Sequence, residues 1–264
     1  MKTYSIFETR AHYDDEAFEP DRDGLLSSLQ GNGIGTVVNV CASVGELGRT
    51  ITLTEKYPFV YGAVGVHPDD ADKMTEQTLN EIRELSRREK ILAIGEIGLD
   101  YYWHKEEAAH EIQKKMFRAQ MDIAREEKLP FMIHSRDAAK DTLDIVKEYM
   151  DEGMYGGIIH CFSYGKEMAE QYLNMGLYLG IGGVVTFKNA KKLKEVVEYA
   201  PLEQLVLETD SPYLSPEPNR GKRNSSLNLP YVARAIGELK GISEEEVIRI
   251  TGQNAEKLLF HRIK

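Results

Sequence analysis

The chain has 264 residues, of which 42% are apolar and 29% charged, and its formal net charge is −10. That size fits one domain, residues 1–264, with a sizeable core; the charged content, and the absence of any apolar run near the roughly 20 residues that cross a bilayer, argue against a membrane protein. An acidic balance also argues against broad duplex binding, which draws its strength from Lys and Arg on phosphates, although it leaves room for a nucleic-acid enzyme.

Residues 1–8 lack the pattern of a secretory signal, and Cys41 and Cys161 show no C-x-x-C spacing, so a cytoplasmic monomer with two buried thiols is expected. The first apolar run predicts a strand at 4–9. A helix at 21–32 follows, with Leu25, Leu26 and Leu29 on one face. Strands are expected at 36–41 and 60–66, then a helix at 75–89 with Leu79, Ile82 and Leu85 together. A strand at 91–97 leads into a long helix at 106–128 that carries Ile112, Met116, Met121 and Ile123. Strand 130–134 precedes helix 138–150, strand 157–161 precedes helix 166–175, and strand 177–182 precedes helix 191–199. The last strand, 205–209, opens into a Pro- and Gly-rich loop at 211–228, and helices at 230–240 and 243–259 close the chain. The latter starts with Ser243 and has Glu246 three residues on, a capping box.

The strand runs are near-continuously apolar, as parallel strands covered on both faces should be. Eight of them alternating with helices indicate an α/β protein, and in this length a single (β/α)8 TIM barrel. The residues that end the runs support a barrel over an open sheet. His12 follows Tyr4-Ser5-Ile6-Phe7, Glu96 follows Ile91-Leu92-Ala93-Ile94-Gly95, and His134 follows Pro130-Phe131-Met132-Ile133. His160 follows Gly156-Gly157-Ile158-Ile159, and Asp210 follows Leu205-Val206-Leu207-Glu208-Thr209. Only a barrel brings the ends of strands one, four, five, six and eight to one place, and barrel active sites gather at that end.

Three His, one Glu and one Asp are the mixed N/O donors that suit Zn, Mn or Mg. A carboxylate such as Glu96 has two oxygens and can bridge two cations. His134 and His160 can complete one site, and His12 and Asp210 the other, a pair of ions suited to hydrolysing a phosphoryl group. Asp210 is also placed to take a proton from the attacking water. Around this set, His67 in Gly65-Val66-His67-Pro68 either holds substrate or caps the next helix. Arg136 either clamps a phosphate or pairs with Asp137. Tyr101, Tyr102 and Trp103 offer stacking surface for bases or pack under the next helix. Basic residues cluster at Lys188, Lys191, Lys192 and Lys194, and again at Arg220, Lys222 and Arg223 in the loop after Asp210, where Arg220 and Arg223 are candidate substrate contacts.

The segments Gly65-Val66-His67-Pro68, Gly95-Glu96-Ile97-Gly98-Leu99-Asp100-Tyr101, His134-Ser135-Arg136-Asp137-Ala138, His160-Cys161-Phe162-Ser163 and Glu208-Thr209-Asp210-Ser211-Pro212 occur in this order. With Arg220-Gly221-Lys222-Arg223-Asn224 and a late Asn254-Ala255-Glu256-Lys257, they resemble the TatD family of metal-dependent deoxyribonucleases along the whole chain. The resemblance implies an amidohydrolase-like barrel with Mg, Mn or Zn as cofactor. It implies ligand roles for His12, Glu96, His134, His160 and Asp210, and 3′-exonuclease action on DNA. The substrate expected here is a single-stranded DNA end, which enters a barrel-top pocket more easily than a duplex straddles it.

Two departures stand out. The family opens with Asp-Thr-His-x-His, whereas this chain reads Glu8-Thr9-Arg10-Ala11-His12. Its Arg-Asn is usually followed by Glu-Pro, whereas Asn224 is followed by Ser225-Ser226. Residues two apart on a strand point the same way, so Arg10 should face the site with His12, and a guanidinium cannot ligate a cation. Three readings stay open: one weakened metal site, one metal plus a phosphate-binding guanidinium, or a crippled enzyme. The alternatives to a deoxyribonuclease are a metal-dependent hydrolase of a small ester or amide and a catalytically weak nucleic-acid-binding barrel.

Overall fold

In the computed structural model, which describes residues 5–262, eight strands lie side by side in chain order, every neighbouring pair parallel. The strands are β1 Ile6–Ala11, β2 Ile34–Val40, β3 Val60–Val64, β4 Ile91–Asp100, β5 Phe131–Arg136, β6 Gly157–Ile159, β7 Tyr178–Ile181 and β8 Leu205–Leu207. Helices return the chain each time: α1 Arg22–Leu29, α2 Leu47–Lys56, α3 Glu76–Leu85, α4 Glu107–Glu126, α5 Ala139–Asp151, α6 Lys166–Asn174, α7 Lys191–Tyr199 and α8 Leu229–Lys240, with α9 Glu244–Leu259 last. This is the expected (β/α)8 barrel. Residue 4, at the start of the first expected strand, lies outside the described residues.

The barrel closes between β1 and the segment after β8. Ala11 bridges Ser211 in parallel, His12 N–H donates to the Ser211 carbonyl at 2.8 Å, and Asp210 N–H donates to the Arg10 carbonyl at 3.2 Å. The seam therefore ties together the two chain segments that carry Arg10, His12 and Asp210.

Helix α2 is an addition to the sequence reading. Its segment holds Thr50, Thr52 and Thr54, whose β-branched side chains favour strands, and Gly48. The fold overrides that preference by burying Leu47, Thr50, Ile51, Leu53 and Thr54 along one face. The Thr54 hydroxyl donates to the Ile51 carbonyl within the helix. Elsewhere the helices match to within a few residues, and the capping serine is in place, Ser243 Oγ accepting from Glu246 N–H at 3.2 Å. Four strands, β3, β6, β7 and β8, are shorter than expected; beyond β3, β6 and β8 the chain leaves the ladder and places His67, His160 and Asp210 at the site.

Two buried clusters make the core. The larger fills the space between barrel and helices. The smaller holds Val38, Leu92, Met132, Ile158 and Val206 with Ala255, Leu258 and Leu259 of α9. Met132, Ile158 and Val206 stand two residues before His134, His160 and Glu208, so they share a strand face with them and form an apolar floor under the site. Both cysteines are free thiols. No helix among the described residues is long and apolar enough to cross a membrane.

Candidate metal centre

Glu96 is the hub. It is buried on β4, and its two carboxylate oxygens face different neighbours. Oε1 lies 2.9 Å from His160 Nε2 and 3.0 Å from His134 Nδ1, and those two nitrogens are 3.4 Å apart. The set Glu96, His134 and His160 converges as the ligands of one divalent cation do. On the other side, Oε2 pairs with the Arg10 guanidinium, and His12 Nε2 stands 3.9 Å away.

Local structure explains the convergence on the first side. Gly98 pairs with His134 in the β4–β5 ladder at φ 145°, a conformation that L residues rarely adopt, and a Cβ there would run into the His134 carbonyl. The close approach sets His134 against Glu96. Asp100, further along β4, accepts at Oδ2 from His134 Nε2 at 3.1 Å, so a carboxylate stands at each nitrogen of that ring. Behind His160 lies Glu208, its Oε1 3.4 Å from His160 Nδ1, in a recess kept open because β7 has Gly180 opposite. Carboxylates behind ligating histidines fix ring orientation and raise basicity. Burial and the Arg10 charge favour neutral His160, but Glu96 and Glu208 overcome them and push it up to about 9.

On the second side stands Arg10, buried like Glu96. One terminal nitrogen pairs with Glu96 Oε2 and the other with Asp210 Oδ1. His12 Nε2 faces the same Asp210 oxygen at 3.5 Å. Its Nδ1 donates to the Val40 carbonyl at 2.7 Å, which leaves Nε2 with a lone pair in the neutral ring. Asp210 itself has φ 60°, an uncommon backbone for a non-glycine residue and one that cores rarely tolerate away from functional sites. Asn224 holds this turn, donating from Nδ2 to the carbonyls of Thr209 at 3.0 Å and Tyr213 at 2.7 Å. Burial would raise the Asp210 and Glu96 carboxyls, yet Arg10 keeps both well below the usual carboxylate range.

The centre opens into a cleft of about 680 Å³. His67 lines it, its ring edge-on to His134 at 4.2 Å and its Nδ1 accepting from Asp69 N–H, so it both caps the turn that follows and faces the site. Arg136 is exposed on the rim with its guanidinium 3.9 Å from the Tyr102 ring and 5.5 Å from that of Trp103, which is 64% exposed. Tyr101 instead packs against His110. Arg220 and Arg223 are not brought into the cleft lining. Arg220 lies over Phe187, and Arg223 pairs with Asp21 at 2.6 Å and donates to the Ala17 carbonyl. Asp100, Glu208 and buried Glu8 were not singled out from sequence. The available signal was spacing: each stands an even number of residues from a candidate ligand on its own strand or strand extension.

A TatD-related DNase family model matches residues 7–260. An uncharacterized metal-dependent hydrolase, YabD of Bacillus subtilis, is 44% identical over 96% of this chain and 98% of its own length. The 3′-5′ ssDNA/RNA exonuclease TatD of Salmonella typhimurium is 28% identical over 96% of this chain and 98% of its own. Among solved structures, the TatD homologue YJJV of Escherichia coli superposes with a TM-score of 0.88 at 26% identity, covering 96% of this chain and 97% of that one. The barrel, the strand-end His and carboxylate cluster and these likenesses agree that the chain belongs to the TatD family of metal-dependent hydrolases.

Proposed function

We propose that this protein is a metal-dependent phosphodiesterase that hydrolyses DNA from a single-stranded 3′ end. The observation that carries the reading is one cleft that unites the Glu96–His134–His160 donor set with an exposed Arg136 framed by Tyr102 and Trp103. The exonuclease name of the Salmonella relative supports it.

Glu96, His134 and His160 would hold a divalent cation, which would supply positive charge to a phosphoryl oxygen and ease deprotonation of water. The chain does the rest. Asp100 and Glu208 hold the two rings, Arg136, seated on Tyr102, offers a planar fork for a phosphate, and the exposed Trp103 accepts an unstacked base. His67 faces the same space and contacts the substrate. Asp210 stays ionised and receives a proton from the attacking water, though its pairing with Arg10 makes it a weak base. An Arg136→Ala change is expected to weaken substrate binding with turnover less affected.

The test is hydrolysis of a 3′-labelled single-stranded oligonucleotide with added Mg²⁺, Mn²⁺ or Zn²⁺, beside the His160→Ala variant. Release of terminal nucleotides from the parent, reduced at least about 100-fold in the variant, is expected from the loss of a ligand. Equal rates in the two proteins would refute it.

A further inference from the structure

We infer that the Arg10 guanidinium takes the place of a second cation, so that this chain binds a single divalent metal, on the Oε1 side of Glu96. The inference builds on the metal centre proposed above and concerns its second half. Three groups there point at a common place: Glu96 Oε2, Asp210 Oδ1 and His12 Nε2, the last 3.9 Å and 3.5 Å from the two oxygens. The Nδ1–H bond from His12 to the Val40 carbonyl is the arrangement that commonly turns Nε2 toward a metal. The oxygens are nevertheless already taken, because Arg10 donates to the same Glu96 Oε2 and the same Asp210 Oδ1.

A guanidinium carries the charge that two buried carboxylates need, but it has no lone pair to give and does not leave. Its field also opposes entry of a divalent ion beside it. The same contacts count against Arg10 as a phosphate clamp. Its two terminal nitrogens are committed to carboxylates, its Nε is buried without a hydrogen-bond partner, and the residue is only 4% exposed. Arg10 is therefore a fixed internal counter-charge and a positioning residue. It holds Glu96 so that Oε1 alone is offered to a metal.

The experiment counts metal and uses no nucleic acid, so its outcome is independent of whether DNA is the substrate. The full chain is stripped of metal, equilibrated with Mn²⁺, passed through gel filtration and measured by mass spectrometry and electron paramagnetic resonance. The parent is expected to retain about one Mn²⁺ with the hyperfine pattern of an isolated ion. Arg10→His is expected to retain about two, with the spectrum of a spin-coupled pair, as in two-metal sites with ions about 3.5–4 Å apart. Arg10→Met, which removes the charge and adds no ligand, is expected to melt several degrees lower without metal and to recover when Mn²⁺ is added. About two ions in the parent would overturn the inference, a result that needs no variant to fold. A single ion in a natively melting Arg10→His would do the same. An absence of retained Mn²⁺ in the parent would remove the metal centre itself, and this inference with it.

Discussion

Glu8 sits on β1 two residues before Arg10, wholly buried, with Oε1 accepting from the Thr209 amide at 2.8 Å and Oε2 without a hydrogen-bond partner. Burial is the dominant influence on it and raises its pKa from 4.5 to about 8, against the opposing hydrogen bonds from Thr209 and Arg10. A neutral Glu8 also leaves Arg10 to Glu96 and Asp210. The consequence for stability has a definite sign. Below pH 4.5 both the folded and the unfolded chain hold the proton. Between 4.5 and about 8 the folded chain keeps it while the unfolded chain releases it, so stability falls as pH rises. One proton corresponds to a slope of about 1.4 kcal/mol per pH unit. Glu8→Gln keeps the shape and removes the proton, so its unfolding free energy should decline less between pH 5 and 8 and exceed the parent's at the upper end. Denaturant melts across that range decide it; parallel profiles for the two proteins would show that Glu8 does not titrate there.

At the scale of elements, the site depends on how closely β4 and β5 approach. Gly98 sits in the pairing opposite His134, and its φ of 145° together with the His134 carbonyl leaves no place for a side chain. Gly98→Ala should therefore cost at least about 2 kcal/mol, because both backbone strain and overpacking act. It should also lower Mn²⁺ affinity by displacing His134 from Glu96. A variant with parental melting and parental metal affinity would show that the ladder yields freely. This register lies behind what sequence could and could not reveal. Parallel strands buried on both faces are written as apolar runs, and the residue ending each run was visible as a possible ligand, so the barrel and the Glu96–His134–His160 grouping could be read in advance. Helix α2 could not, since its three threonines and Gly48 carry no helical preference and only burial against the barrel makes it helical. Asp100 lay in plain view near Glu96, but its partnership with His134 depends on the β4–β5 register. The double pairing of Arg10 depends on barrel closure, which brings residue 210 beside residue 10.

For the whole molecule, charge separates two ways of holding a nucleic acid. The net charge is −10, so the surface at large repels a phosphate backbone. Within the cleft lining, the described guanidinium groups are Arg10 and Arg136, and Arg10 is neutralised by its carboxylates. Arg223 is likewise paired, with Asp21, and Lys191 and Lys192 lie exposed on α7. A single-stranded end should then be held by base stacking on Trp103 and by few phosphate contacts. Each phosphate contact to a single strand contributes a slope of about −0.7 in log affinity against log salt concentration. One or two contacts predict a slope no steeper than about −1.4, so affinity should fall only about 3- to 7-fold between roughly 50 and 200 mM salt. Fluorescence anisotropy of a labelled oligonucleotide on the His160→Ala variant, where cleavage does not intrude, gives the slope directly. Replacing Trp103 by Ala should weaken binding by about 1–3 kcal/mol while leaving that slope unchanged. A slope steeper than about −3 would mean that the strand reaches the basic loop at Arg220, Lys222 and Arg223, and that electrostatics rather than stacking selects the substrate.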